Sequence, residues 1–186
     1  MELVEINQVA QERINTNPHI RRLGLKRNLN FPNNRLSVLI YQKALKLPNI
    51  RAKSANIAQR IFLKNGWSNS WRNGIYDFHH FHSNTHECMA ICMGSAHVIL
   101  GGPNGRKIKL KQGDVIVLPA GVGHRCVYAS PDFLCVGAYP QGKEYDMNSG
   151  DNADVKKIIT KINKVPLPRK DPIFGTEGFL KMYWKK

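Results

Sequence analysis

The stretch GIYDFHHFHSNTHECMAICMG, residues 74–94, carries the pattern that decides the fold of this chain. It places four of the seven histidines within eight residues, immediately before a glutamate. Side chains two residues apart on a β-strand point to the same side, so His80 and His82 would present two imidazoles to one face. The polar turn that follows lets the chain return antiparallel and bring Glu87 or His86 beside them. The pattern predicts a metal site built from imidazole and carboxylate ligands.

A further ligand has to come from elsewhere in the chain, and His124 is the candidate. It follows the segment GDVIVLPAGVG, in which Gly113 opens a strand and the residues from Pro119 to Gly121 turn it. Three imidazoles and one carboxylate suit one divalent transition metal ion with open coordination positions, such as Fe(II), Mn(II), Ni(II) or Zn(II).

Two segments match the sequence motifs of the cupin superfamily. The first motif, G-x5-H-x-H-x4-E-x6-G, is matched by Gly74, His80, His82, Glu87 and Gly94. The G-x5-P-x-G-x2-H part of the second is matched by Gly113, Pro119, Gly121 and His124. Over residues 74–130 the chain therefore resembles the cupins. This resemblance implies a double-stranded β-helix, or jelly-roll barrel, whose metal ligands are His80, His82, Glu87 and His124.

A closer resemblance extends over most of the chain. The segments SWRNGIYDFHHFHSNTHE, GDVIVLPAGVGHR and VGAYPQG resemble a bacterial group of single-domain, YjlB-like cupins, and this likeness implies no particular reaction. Tyr128 stands where the second cupin motif often closes with Asn, a position that is not a metal ligand in cupins. Two roles of His86 are left open. It could replace Glu87 as the third ligand, as in the all-histidine site of thiol dioxygenases, which resemble cupins in fold, or it could lie beside the ligands without binding the metal.

Strand alternation outward from the ligands predicts an apolar and aromatic pocket. Tyr76 shares the face of His80, while Cys126 and Tyr128 share the face of His124. We therefore expect Tyr76, Tyr128 and Cys126 near a substrate, with the Tyr128 hydroxyl as a substrate contact or general acid. A turn at Ser130-Pro131 would place Cys126 opposite Cys135.

The surrounding sequence predicts an all-β domain with one short helix before the barrel and one after it. Between residues 71 and 139, short apolar segments alternate with turns, which is typical of a sandwich or barrel. Apolar residues at helical spacing indicate helices over residues 54–64 and 151–163. We divide this single domain into an arm and first strand (1–50), a short helix (51–66), the barrel core (67–142), and a helix with an extended, proline-rich tail (150–186).

Charge and composition narrow the function classes. The net charge is +15, and thirteen Lys or Arg but no acid lie between Arg13 and Arg72. The positive field of these residues could steer a small anionic substrate. No nucleic-acid recognition motif accompanies it, so we do not favour nucleic-acid binding.

Neither a membrane span nor a secretory signal is recognisable, so we expect a cytoplasmic protein. The four cysteines form no CxxC pair and are expected as free thiols.

These features lead to ranked hypotheses about function. The first is a metal-dependent oxidoreductase of the dioxygenase type acting on a small organic substrate. The alternatives are a metal-dependent isomerase of a sugar or keto acid, and a non-catalytic cupin that binds or senses a small molecule. We expect a homodimer to which the N-terminal arm contributes.

Overall fold

The computed structural model of the chain describes residues 11–151 and 154–185. Within these residues the strands are β1 (His19–Leu23), β2 (Val38–Gln42), β3 (Trp67–Asn73), β4 (Glu87–Met93), β5 (Ser95–Leu100), β6 (Arg106–Lys111), β7 (Val115–Leu118), β8 (His124–Ala129) and β9 (Leu134–Pro140). The helices are α1 (Arg51–Lys64), α2 (Val155–Lys164) and α3 (Phe179–Tyr183).

The strands form two antiparallel sheets that face each other. The larger has the order β1-β2-β7-β4-β9-β3 and the smaller the order β6-β5-β8. Strand β4 is buried on both faces: Cys88 and Ala90 belong to one apolar cluster with α1, while Met89 and Ile91 belong to a second cluster between the sheets. The predicted double-stranded β-helix is confirmed, with the larger sheet lying between α1 and the smaller sheet.

Helix α1 confirms the helix expected before the barrel and begins three residues earlier. Its buried face includes Ile57, Ile61 and Phe62, which pack against the larger sheet. The chain leaves the helix through Gly66, whose positive φ of 77° is readily adopted by glycine. Helix α2 starts after Asp154, whose side chain accepts a hydrogen bond from the Lys157 backbone N–H. Residues 152 and 153 of the second predicted helix lie outside the described residues.

Part of the expected N-terminal arm is a regular strand. Strand β1 pairs antiparallel with β2 along its whole length, from His19 opposite Gln42 to Leu23 opposite Val38. Residues 1–10 of the expected arm lie outside the described residues. The contribution of this arm to a homodimer stays a prediction. No helix in the described part of the chain is both long and apolar enough to cross a bilayer.

The tail is not extended throughout, which corrects one expectation. Its prolines precede Ile173, and the proline-free segment FLKMY forms the short helix α3. The tail is fixed by Asp171, a fully buried residue whose carboxylate accepts hydrogen bonds from the Tyr41 hydroxyl at 2.7 Å and from the backbone N–H of Leu180 at 3.1 Å. The backbone N–H groups of Ile173 and Phe174 donate to the same carboxylate.

Replacing this aspartate should destabilise the protein strongly. In Asp171→Ala, four donors in and around the buried site lose their acceptor, so we expect the free energy of unfolding to fall by about 3 kcal/mol or more. Urea unfolding followed by tryptophan fluorescence measures the change. The exposed Glu177 on the same tail provides the control, and Glu177→Ala should change stability by less than about 0.5 kcal/mol. Equal, small effects of both substitutions would contradict this role of Asp171.

Candidate metal centre

The histidine-rich segment is not a continuous strand, although strand alternation holds within it. His80 forms an isolated antiparallel bridge with His124, in which each backbone N–H donates to the carbonyl of the other at 3.1 and 2.9 Å. The next residue, Phe81, bridges to Asn148 in the same way. The expectation that His80 and His82 lie on a regular strand is therefore wrong, because this segment pairs only at single residues. The bridge nevertheless sets His80 directly beside His124, some forty residues later in the chain.

Three imidazoles converge at the base of the barrel cavity. His80, His82 and His124 are all buried, and one ring nitrogen from each lies within 4.8 Å of the others. The Nδ1 atoms contact the backbone carbonyls of Phe78 at 3.1 Å, Asp146 at 2.6 Å and Val122 at 3.1 Å, respectively. Because a carbonyl can only accept, each Nδ1 must carry the proton and each Nε2 is left as a lone-pair donor. The backbone thus fixes three ring orientations and three tautomers suited to binding a metal ion.

Glu87, the first residue of β4, supplies a carboxylate to this group. Its Oε2 atom lies 3.5 Å from Nε2 of both His82 and His124. This oxygen is buried and has no hydrogen-bond partner among the described residues, whereas Oε1 accepts a hydrogen bond from the Tyr139 hydroxyl at 2.9 Å. A buried carboxylate oxygen that has no hydrogen-bond partner and lies 3.5 Å from two lone-pair donors is unfavourable without a cation. The residues present therefore fit a bound metal ion.

The protonation states of the group also suit a metal. Burial, together with the neighbouring His80, lowers the pKa of His124 to about 3, and burial lowers the pKa of His80. Burial alone would raise the pKa of Glu87, but His82, His124 and the Tyr139 hydroxyl lower it to about 2. Burial likewise opposes protonation of His82, yet Glu87 reverses this effect and raises its pKa. His82 is thus the imidazole on which a proton and a metal ion would compete.

Two aromatic residues that sequence reasoning missed hold the carboxylate. The Trp71 indole N–H donates to the Tyr139 hydroxyl at 2.9 Å, and that hydroxyl donates to Glu87. Trp71 on β3 lies over Gly137 on β9, where a Cβ atom would come within 2.2 Å of the indole. The only sequence signal for this arrangement is the alternation that puts Gly137 and Tyr139 on one face of a strand. The pairing of β3 with β9 could not be read from it.

A loop between β9 and α2 closes one side of the centre. Tyr145 stacks on Tyr139 with ring centroids 4.9 Å apart, and its ring lies 4.7 Å from that of His82. The Asp146 carboxylate accepts hydrogen bonds from the backbone N–H and the hydroxyl of Ser83. It also forms an ion pair with Lys161 at 2.8 Å. These contacts tie the loop to the segment that carries His82. The polar sequence of the loop has no periodic pattern, so its role was not recognisable in advance.

The centre opens into a cavity of about 130 Å³. His80, His82, Glu87 and His124 line this cavity, and most of its remaining walls are aromatic or apolar, formed by Trp71, Ile75, Tyr76, Met89, Tyr139 and Tyr145. Arg72 also borders it, but its guanidinium group donates to Asn56 and Gln59 on α1. The polar groups of Trp71, Tyr139 and Arg72 are thus already engaged, whereas Asn73 and the hydroxyl-bearing rings of Tyr76 and Tyr145 also line the cavity.

The structure places the other predicted site residues differently. Tyr76 lines the cavity, with its ring 5.3 Å from that of His80. Tyr128 does not line the cavity. Its side chain is 55% exposed and lies beside His97 on the outside of the smaller sheet. A register shift in the pairing of β5 with β8 turns this side chain outward. Its predicted role in the pocket is wrong. Cys126 packs between the sheets, and its thiol contacts the Tyr128 carbonyl at 3.2 Å.

The predicted pairing of the two cysteines is also wrong. Cys126 lies on β8 in the smaller sheet, where it adjoins β5, while Cys135 lies on β9 in the larger sheet opposite Ile91. The chain crosses between sheets at the turn, so the two strands are not a hairpin. All four cysteines are free, as expected, and buried.

His86 lies outside the group of three imidazoles. Its Nδ1 accepts a hydrogen bond from the Ala120 backbone N–H at 3.0 Å, and its ring packs 4.8 Å from that of Trp184. It borders a different cavity from the one above the metal centre. Alternation along the chain therefore brings Glu87, rather than His86, to the three histidines.

Comparisons with known proteins show which proteins this chain is similar to. A family model described as Cupin matches residues 71–155. The chain is 40% identical over 149 residues to the uncharacterized protein YjlB of Bacillus subtilis, an alignment that covers 80% of this chain and 86% of YjlB. Similar solved structures include a DUF861 family protein from Thermotoga maritima (21% identity, 38% of this chain, 75% of that chain, TM-score 0.30). Acireductone dioxygenase from Bacillus anthracis with a cadmium ion in its active center is another (15% identity, 50% of this chain, 62% of that chain, TM-score 0.36).

Proposed function

The chain belongs to the cupin superfamily, in the group of YjlB, and on that premise we propose that it is a metal-dependent oxidoreductase of the dioxygenase type. Its substrate would be a small organic molecule. The observation that carries the proposal is the group of three buried imidazoles, each fixed by a backbone carbonyl, beside the Glu87 carboxylate, whose Oε2 lies 3.5 Å from two of them. This donor set lies at the base of an aromatic cavity.

The metal would be held by Nε2 of His80, His82 and His124 and by Oε2 of Glu87. Mixed imidazole and carboxylate donors suit Fe(II) or Mn(II), and Ni(II) or Zn(II) also accept them. When bound, Fe(II) or Mn(II) would supply a Lewis acid and a centre able to react with O2. The protein contributes four ligands, which leaves room for a chelating substrate.

Tyr139 and Trp71 would orient the carboxylate. The Tyr139 hydroxyl donates a hydrogen bond to Oε1 of Glu87, and this bond directs Oε2 toward the imidazoles. The Trp71 N–H in turn fixes the Tyr139 hydroxyl so that its proton points to Glu87. Partners of this kind raise metal affinity by holding a ligand in its binding orientation.

The cavity walls favour an oxidoreductase over a sugar isomerase. The hydrogen-bonding groups of Trp71 and Tyr139 are engaged with each other and with Glu87, and the guanidinium of Arg72 is engaged with α1. A sugar needs many donors and acceptors around its hydroxyls, since unpaired polar groups in a closed site are costly. A small, flat molecule with two adjacent oxygens for the metal and an apolar body fits these walls better.

Metal identification followed by O2 uptake tests the proposed reaction. The purified protein should contain iron or manganese, and reconstitution with Fe(II) should give O2 consumption with at least one member of a panel of thiols, diketones and catechols. His82→Ala, which lacks one ligand, provides the control and should consume no O2 above background. Bound metal with no O2 consumption across the panel would contradict the oxidoreductase proposal and favour the isomerase or the binding protein.

A further inference from the structure

A second groove, larger than the metal cavity, lies between the end of α1 and the proline-rich segment of the tail. Its volume is about 710 Å³, and it shares no lining residue with the metal cavity. Four cationic side chains line it, namely Lys64, Lys143, Arg169 and Lys170, and none of its lining residues is Asp or Glu. We refer to this surface as the basic groove.

None of these four cations has a counter-ion among the residues that the structure describes. The side chains of Lys143, Arg169 and Lys170 make no hydrogen bond or ion pair with residues 11–151 or 154–185, whereas Lys64 donates to Gln11 at 3.0 Å. Glu144 follows Lys143 directly in the chain but does not line the groove. Like charges in a concave surface reinforce one another, so this groove attracts anions more strongly than the same charges spread over a convex surface.

The framework of the groove is rigid. The Trp67 indole N–H donates to the Lys170 carbonyl at 3.0 Å, and the Asn65 side chain donates to the Pro172 carbonyl at 2.9 Å. These bonds attach the tail to the residues that follow α1. The Asn84 side chain donates to the Glu144 carbonyl at 2.9 Å, which anchors the backbone next to Lys143. A ligand would therefore meet cations on a backbone that is already in place.

One wall of the groove is apolar, and this wall narrows the ligand class. Val165, Pro166, Leu167 and Pro168 form it, and the two prolines limit its freedom to rearrange. The volume lies within the range of about 300–1,000 Å³ found for small-molecule sites. We propose that the basic groove binds a small organic phosphate, with the phosphate groups on Arg169, Lys170 and Lys143 and the organic part against the apolar wall.

A small ligand explains the groove better than a nucleic acid does. The four cations line one groove of about 710 Å³, whereas a single strand of nucleic acid is bound by a groove that follows its backbone over several nucleotides. Guanidinium and ammonium groups are the usual partners of phosphate oxygens, and Arg169 can offer two parallel N–H donors to one phosphate. Oligonucleotide binding is accordingly a separate outcome of the test.

Calorimetric titration with ADP and with inorganic pyrophosphate tests this inference. At about 50 mM salt, where surface charges are weakly screened, both probes should bind the full-length protein, and ADP should bind more tightly because of the apolar wall. The double substitution Arg169→Gln and Lys170→Gln should weaken ADP binding by at least about tenfold, since it removes two charged hydrogen-bond donors. The matched control, Lys107→Gln and Lys109→Gln on β6, removes the same net charge from another exposed surface and should change the dissociation constant by less than about twofold.

Any one of five results would overturn the inference. Neither probe binds; pyrophosphate binds at least as tightly as ADP; the control weakens binding as much as the groove variant; or only a single-stranded oligonucleotide binds. Phosphate binding at the metal centre would persist in the Arg169→Gln, Lys170→Gln variant, so that result also counts against the groove. None of these outcomes depends on the reaction proposed for the metal centre.

Discussion

Replacing His80 or His124 by alanine is expected to remove the bound metal. Each substitution deletes one of three imidazoles whose orientation is fixed by a backbone carbonyl, and the remaining three ligands must then bind the ion alone. Changes in residues that merely contact metal ligands reduce affinity by about 10–100-fold, so loss of a ligand should reduce it by more than about 100-fold. Elemental analysis of the purified proteins, together with titration of the metal-free forms, measures this effect.

The same measurement decides between the two rival ligands. Glu87→Gln should lower metal affinity to a similar degree, because a neutral amide replaces the buried carboxylate oxygen that faces the imidazoles. His86→Gln is the matched control and should retain the metal, because His86 lies against Ala120 and Trp184 on another side of the chain. Equal metal content in wild type, His80→Ala and His124→Ala would end the assignment of this centre.

Tyr139→Phe is expected to weaken metal binding by about tenfold or more while leaving the fold intact. The substitution keeps the ring that stacks on Tyr145 and removes only the hydroxyl that holds Oε1 of Glu87. The carboxylate should then rotate and expose both oxygens to the metal. Titration of the metal-free protein with Co(II) gives the dissociation constant, and the visible absorption spectrum of the bound Co(II) reports the altered coordination.

Two further variants separate positioning from simple loss of packing. Trp71→Phe removes the N–H that fixes the Tyr139 hydroxyl but keeps an aromatic ring over Gly137, so we expect a smaller loss of affinity in the same direction. Tyr128→Phe removes a hydroxyl from the outer surface and should leave both the dissociation constant and the spectrum unchanged. An unchanged Co(II) spectrum and dissociation constant in Tyr139→Phe would show that this hydroxyl does not orient Glu87.

The site residues that sequence reasoning found are those that lie close together in the chain or match a spaced motif. His80, His82 and Glu87 were recognisable because the period of two puts both imidazoles on one side and the turn returns the chain beside them. His124 followed from the second motif. The side chains lie close together even though the segment is bridged at single residues, because alternation needs only an extended backbone.

The residues that were missed or misplaced depend on contacts between distant elements. Tyr139 and Trp71 meet because β3 pairs with β9 and Gly137 leaves room for an indole, and no local pattern encodes that pairing. Tyr128 was misplaced because a register shift of one residue reverses the face of a strand, and such a shift leaves no trace in its composition. The basic groove likewise needs the tail to fold back beside α1, so the net charge alone could not locate it.

The central claim is that one metal ion lies among His80, His82, Glu87 and His124. Diffraction data collected from metal-loaded crystals at the absorption edge of the bound metal test it most directly. We expect one anomalous peak about 2.0–2.2 Å from the three Nε2 atoms and from Oε2 of Glu87. An anomalous peak at another position, or none at this centre in crystals shown to contain the metal, would contradict it.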